Sequence, residues 1–251
     1  MDTLFVGQKI IQLNEVASTN TYAINLLKDV KVLEGSVIIA DKQSNGRGQR
    51  GNLWLAEPSM NLTFSCILFP SFLNASNHFY LSKITALALY DALTEIMKDS
   101  QHDIKIKWPN DILVNNKKIA GVLIENNFRA AQVQQAVIGI GLNVNQENFG
   151  ELKATSLKAC CTKTFSLKEV LAIVCKHLET WYLKLRNANG YSVVDGAYLN
   201  SLYLLNEWEH YAADGQVFKA RISGVDDSGK LVVEMENNSL KKFDVKEIVF
   251  P

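Results

Sequence analysis

Gly46-Arg47-Gly48-Gln49-Arg50-Gly51, together with Lys107-Trp108-Pro109-Asn110-Asp111, is the sequence whose reading decides the fold. Glycines let a backbone turn tightly and expose its N–H groups, and arginines add fixed positive charge. That pairing suits a bound carboxylate or phosphate. In the second stretch Ile104, Ile106 and Trp108 alternate as on a strand, and Lys107 lies near its end. Pro109 biases Trp108 to extended backbone and fixes the chain direction, which sets Lys107 and Asn110 firmly at a strand end. Each stretch alone has a plain alternative: an exposed glycine turn, and a strand ending in a solvated lysine. Together they point to chemistry on an activated acid. The loop is not a phosphate-binding P-loop, because no Gly-Lys-Ser/Thr follows, and it does not match a dinucleotide fingerprint in a useful context. Gln43 just upstream is within reach of the same pocket, and Trp54 downstream is placed to cover a planar ring.

Outward from these stretches the chain alternates helical and strand patterns. Ala23, Leu26, Leu27 and Val30 recur at helical spacing behind Ser18-Thr19-Asn20, where Ser18 or Thr19 caps the helix. Val37–Ala40 reads as a buried strand feeding the loop, and Leu62–Leu68 as another. A long helix is expected from Phe79 to Lys98, with Leu81, Ile84, Leu87 and Ala88 packed and Asp91, Glu95 and Lys98 wet. Asn115-Asn116 suits a hairpin turn into a strand at Ile119–Glu125, and Ala136–Val144 forms the next strand. Its Gly139 and Gly141 put small residues on one face, for close packing or for close backbone approach to a ligand. Lys117-Lys118 reads most simply as solvated. Ser166-x-x-Glu169 is a capping box for a helix through Leu185, and a second helix is expected around Val193–Leu202. After Leu205 short strands separated by Asp214-Gly215, Asp226–Gly229 and Asn237-Asn238 suggest a small β-barrel.

Composition bounds the function. Of 251 residues 47% are apolar, so a sizeable core is available. Twenty-six basic and 26 acidic side chains cancel, which argues against a generic nucleic-acid binder. Cys66, Cys160, Cys161 and Cys175 form no C-x-x-C pair and read as small buried hydrophobes in a reducing compartment. The four histidines are scattered, with no triad-like context. No secretory signal is seen and no apolar run approaches the about 20 residues of a membrane span. A soluble cytoplasmic protein that uses neither membrane nor DNA is therefore expected.

These segments, in their order and spacing, resemble the biotin protein ligase family, in its short form without an N-terminal DNA-binding domain. The matching residues are Ser18-Thr19-Asn20, Gln43 with Gly46–Gly51, Trp54, Lys107–Asp111, Lys118-Ile119-Ala120-Gly121 and Gly139–Asn143. The resemblance implies an α+β fold, a mixed β-sheet flanked by helices and related to class II aminoacyl-tRNA synthetases, over residues 1–205. An SH3-like β-barrel over residues 206–251 follows. It implies that biotin and MgATP give biotinyl-5′-adenylate and pyrophosphate, and that a lysine of a carboxylase carrier domain, such as the biotin carboxyl carrier domain of acetyl-CoA carboxylase, then takes the biotin.

By the same resemblance Ser18, Thr19, Asn20, Gln43, Gly46, Gly48, Lys118, Gly139 and Gly141 bind biotin, together with Arg47. Arg47 and Lys107 are the catalytic cations at the biotin carboxylate and the α-phosphate, gathering two anions that repel each other. Gln49, Arg50, Gly51, Trp54, Asn110 and Asn143, with Arg47 and Lys107, contact ATP or the adenylate, and Asp111 helps hold Mg²⁺. Gln49 stands where many relatives have arginine: it keeps hydrogen bonding and loses charge, so adenylate retention turns on this position. The motif at Ser18 starts too early in the chain for a preceding helix-turn-helix, so no repressor role is expected. A homodimer is compatible with the resemblance. The competing readings are a lipoate or octanoate protein ligase and a non-catalytic biotin-binding regulator.

Overall fold

The computed structural model describes residues 1–251, the side chain of Arg50 excepted. Its first sheet is built from β1 (Ile10–Val16), β2 (Val37–Gln43), β3 (Leu62–Leu68), β4 (Ile104–Lys107), β5 (Asp111–Val114), β6 (Lys117–Arg129) and β7 (Gln132–Leu142). The strand order is β1-β2-β3-β7-β6-β5-β4; β1 runs parallel to β2 and all other neighbours are antiparallel. The sheet is therefore mixed, as expected. β1 is an addition to the elements read from the sequence.

Both faces of this sheet are covered, which explains β3. Its seven residues are all buried although Thr63 and Ser65 are polar. Leu62, Phe64, Cys66 and Leu68 join the large core beneath three helices, α2 (Phe79–Ile96), α4 (Leu167–Arg186) and α5 (Gly190–Asn200). Ile67 faces the other way, into a smaller cluster under α1 (Thr19–Asp29) with Ile38, Val137 and Ala23. The packed side of α2 is the one its spacing predicts, with Leu81, Ile84, Leu87 and Ala88 all buried. The Asn115-Asn116 turn joins β5 to β6 with both residues at positive φ (49° and 62°), the geometry that asparagine tolerates in tight hairpins.

Caps differ in kind. Ser166 accepts the Glu169 N–H at 3.4 Å and starts α4 as its capping box predicts. Ser18 makes no side-chain cap on α1; instead the Thr19 N–H donates to the Gln43 side chain at 2.8 Å. A short helix, α3 (Leu157–Cys161), follows β7. Cys66 and Cys175 are buried free thiols, whereas Cys160 and Cys161 are only half-buried and so do not fit the simple core reading.

The second sheet holds β8 (Trp208–Ala213), β9 (Gln216–Val225), β10 (Leu231–Met235) and β11 (Leu240–Phe243) in the antiparallel order β11-β10-β9-β8. A bridge between Ala212 and Val249 brings the C-terminal segment back against β8. This sheet is not an appendage. The Trp108 indole N–H donates to the Gly229 carbonyl at 2.9 Å, and the Gly229 turn sits on the Phe79 ring. No helix among the described residues is long and apolar enough to cross a membrane.

Candidate active site

The floor of the site lies at the centre of the first sheet. Register places Thr63 opposite Gly141 and Ser65 opposite Gly139, and on the next strand Gly121 opposite Gly141. A Cβ on Gly139 would collide with the Asn20 amide, and one on Gly141 with the Trp54 indole. The glycines of β7 thus admit close neighbours, one of the two readings their sequence left open. Over this floor stands the start of α1. The Ser65 hydroxyl lies 2.6 Å from Asn20 Oδ1 and 2.7 Å from Thr19 Oγ1. The Asn20 amide donates to the Leu123 carbonyl (3.2 Å) and to Glu125 (2.9 Å). Ser18, Thr19 and Asn20 are all at least nine-tenths buried, so a polar wall is held rigidly inside an apolar setting.

The glycine-rich loop folds as a small hairpin of its own. The Trp54 N–H donates to Gly46 (3.0 Å), the Gly48 N–H to Asn52 (2.7 Å), and Gly51 closes the tip at φ +85°. Gly46 needs its missing side chain because a Cβ there would strike the Trp54 carbonyl. Arg47 lies on the cavity and pairs through both terminal nitrogens with Glu125, at 3.0 and 3.2 Å. Sequence reasoning assigned no partner to Arg47 and did not single out Glu125. Trp54 lies over Gly121 and Gly141, with the Lys118 ammonium 5.6 Å from its ring centre. Its indole N–H is buried without a partner.

The cationic end is built by the turn between β4 and β5, where the Trp108–Pro109 peptide is cis. Asn110 is stapled to β6, its amide donating to the Val122 carbonyl at 2.7 Å. Lys118 and Asp111, expected at different ligands, are each other's partners at 2.7 Å. The Lys107 ammonium lies 4.9 Å from the centre of the Phe250 ring. Burial pushes the Lys107 pKa down; Asp111 pulls it back up, and Lys153 and Lys118 add to the fall.

These groups line one cavity of about 490 Å³, a size suited to a small ligand. Its walls include Ser18, Thr19, Asn20, Gln43, Arg47 and Gly48 at one side. Gln49, Trp54, Lys107, Asn110, Asp111 and Lys118 reach it as well, as do Gly139 and Gly141. Three expected residues do not line it. Asn143 is buried just past the end of the central strand β7, its amide given to the Thr155 carbonyl at 3.0 Å. Gly46 lines a separate depression on the far side of the loop, and Gly51 forms the loop tip. The Arg50 side chain lies outside the described residues. One wall was not foreseen: Val245, Lys246, Ile248, Val249 and Phe250 of the C-terminal segment close the Lys107 side. The only hint in sequence was the apolar ending Ile248-Val249-Phe250.

Asp111 is the single carboxylate among the described residues of this cavity, and no group of three His, Cys, Asp or Glu residues converges among the described residues. One carboxylate fits a Mg²⁺ that takes its other oxygens from nucleotide phosphates and water, and does not fit an all-protein metal cage.

Known proteins with this architecture are numerous. The chain superimposes on the biotin protein ligase of Aquifex aeolicus in complex with biotin and ATP with a TM-score of 0.78, at 29% identity over 97% of this chain and 99% of that one. It is 31% identical to the biotin–[acetyl-CoA-carboxylase] ligase of Paracoccus denitrificans, across 86% of this chain and 90% of the relative. It is 30% identical to the bifunctional ligase/repressor BirA of Bacillus subtilis strain 168, across 96% of this chain and 74% of that protein. The model of the biotin/lipoate A/B protein ligase family matches residues 13–143, which contain the polar wall, the glycine loop, the Lys107 turn and the glycine floor, and the chain belongs to that family.

Proposed function

We propose that this protein is an ATP-dependent biotin protein ligase that activates biotin as its 5′-adenylate and transfers it to a lysine of a carboxylase carrier domain. The observation that carries the reading is the convergence of Arg47 and Lys107 on one cavity that also holds the buried polar residues Ser18–Asn20 and the half-buried Gln43. The Aquifex neighbour in complex with biotin and ATP and the name of the Paracoccus relative support the substrates and the carboxylase acceptor.

A carboxylate is a poor acyl donor because oxide is a poor leaving group. In the first step a biotin carboxylate oxygen bonds to the α-phosphorus of ATP, and the bond to the bridging oxygen breaks to release pyrophosphate. In the second, the acceptor lysine amine bonds to the acyl carbon, the bond to the phosphate oxygen breaks, and AMP leaves as the amine loses a proton. Two anions must meet in the first step, and Arg47 and Lys107 offset their repulsion and the charge that grows at phosphorus. The depressed pKa of Lys107 reflects this design: burial that weakens a lysine's hold on its proton also strengthens its field on a neighbouring phosphate. Ser18, Thr19, Asn20 and Gln43 orient the biotin ring system against the Gly139–Gly141 floor. Trp54, Gln49, Asn110 and the Phe250 segment face the nucleotide. Asp111, which pairs with Lys118, would be the protein carboxylate to hold Mg²⁺, and that ion would neutralise charge on the ATP phosphates.

Mass spectrometry of a carrier domain incubated with the protein, MgATP and either biotin or lipoate tests this. A mass gain with biotin alone is expected, lost in Arg47→Ala and Lys107→Ala. A gain with lipoate alone would move the protein to the other branch of its family; biotin binding without any gain would mean a regulator.

A further inference from the structure

Glu125 belongs to none of the roles above, yet it touches two of them. It stands on β6 opposite Val137, on the site face of the sheet, with its side chain 27% exposed. Its carboxylate takes both terminal nitrogens of Arg47 and, on Oε2, the amide of Asn20. A single hydrogen bond would leave a guanidinium free to turn, whereas a two-point pairing fixes its plane. Arg47 Nη1 also donates to the Thr21 hydroxyl on α1 at 3.4 Å, which leaves the Nε–H and the second N–H of Nη2 for a ligand. Asn20 is itself pinned by Ser65 and the Leu123 carbonyl. Glu125 therefore ties the glycine-rich loop to the rigid wall of the cavity, across elements far apart in the chain. The hairpin bonds of the loop are internal to it and supply no such tie.

We propose that Glu125 is the positioning residue of Arg47: it holds the loop arginine over the cavity before any ligand arrives, so that the arginine meets the substrate carboxylate already oriented. The proposal rests on the ligase reading for its substrate, and on geometry alone for the tie. The tie to Asn20 separates positioning from competition, because a carboxylate that only stood in for the ligand would need no anchor in the wall.

The experiment uses the full chain carrying Glu125→Gln, which keeps size and removes charge, alone and combined with Arg47→Ala. Without ligand, hydrogen exchange at the amides of residues 46–54 is expected to quicken about tenfold, equivalent to ~1.4 kcal/mol. In pyrophosphate release, KM for biotin is expected to rise about tenfold while kcat, KM for the acceptor and the melting temperature hold. In the Arg47→Ala background, where turnover is lost, biotin affinity measured by calorimetry is expected to be the same with Glu125 or Gln at position 125. Unchanged loop exchange, a lower KM for biotin, or an equal effect without Arg47 each overturns the proposal. A wild-type protein that neither binds biotin nor releases pyrophosphate would instead sink the ligase reading, and loop exchange would still decide the role of Glu125.

Discussion

Replacing Gly139 by alanine, beside the same change at Gly141, tests the floor of the cavity and separates packing from function. A Cβ at Gly139 would meet Asn20 Cγ at 2.9 Å and Nδ2 at 3.0 Å, with Oδ1 closer still. Asn20 has nowhere to go: it is 3% exposed and bonded to Ser65, the Leu123 carbonyl and Glu125. Restoring an ordinary contact of about 3.5–4.0 Å means a retreat of ~1 Å and loss of the 2.6 Å contact to Ser65. Such overpacking costs about 1–3 kcal/mol, less the ~0.5–1 kcal/mol by which alanine outdoes glycine in a strand. A net loss of about 1–2 kcal/mol lowers the melting temperature of a chain this long by ~2–8 °C. At Gly141 the Cβ would meet the Trp54 ring, at 2.6 and 2.7 Å for Cζ2 and Cδ2 and closer for Cε2. That indole is half-buried and its N–H has no partner, so it can move aside. Gly141→Ala should then keep its melting temperature within about 2 °C of wild type while raising KM for ATP. Thermal unfolding followed by circular dichroism, with pyrophosphate release on the same samples, reads both. If Gly139→Ala melts with wild type, or if the two variants lose stability equally, the argument from the Asn20 anchor is wrong.

Three further outcomes follow from named contacts. Burial lowers the Lys107 pKa, so the cation is lost as pH rises below the usual 10.5. The alkaline limb of the adenylation rate should therefore fall below that pH and move upward in Lys107→Arg; a limb at or above it would refute the role. Asp226 has a pKa of about 2: partial burial pushes it up, but hydrogen bonds from Ser228, Lys242 and the Lys230 N–H outweigh that. A depressed acid stabilises above its unfolded pKa, near 3.8, and that support is lost as pH falls to about 2. Asp226→Asn should thus weaken the second sheet at neutral pH and flatten its acid sensitivity, read by amide exchange in β9 and β10. Glu179, buried on α4, accepts the N–H groups of Leu4, Phe5 and Val6 at 2.7, 2.7 and 3.0 Å. Glu179→Ala should cost about 2–4 kcal/mol and open residues 1–9 to proteolysis; an equally resistant N-terminus would refute the anchor.

Much of the fold was legible because it is local. The spacing of Leu81, Ile84, Leu87 and Ala88, the alternation along β3 and the Asn115-Asn116 turn each act within a few residues, and each formed what it predicts. β1 was missed because it is a half-exposed edge strand, with its signal, Ile11 and Leu13 alternating with Gln12 and Asn14, diluted by polar neighbours. β8, an edge strand of the second sheet with a single buried residue, was missed for the same reason. In the site, the glycine loop, the Lys107 turn and the Gly139–Gly141 floor were all readable as motifs. Their mutual geometry was not.

The sequence by itself determined the parts: a mixed α+β architecture, a β-rich end, and motifs whose glycines, cations and prolines have only a few local uses. Tertiary structure alone decided who meets whom. Arg47 faces Glu125, Lys118 faces Asp111 and Phe250 faces Lys107. It also buried Asn143 at the end of β7 with its amide on Thr155, and put Gly46 in a separate depression. The physical reason is range. Backbone preference and periodicity act over a few residues, whereas those contacts depend on strand register and on one sheet docking against another. Charge carries no address of its own, so a lysine or glutamate finds its partner only once the backbone has brought it there.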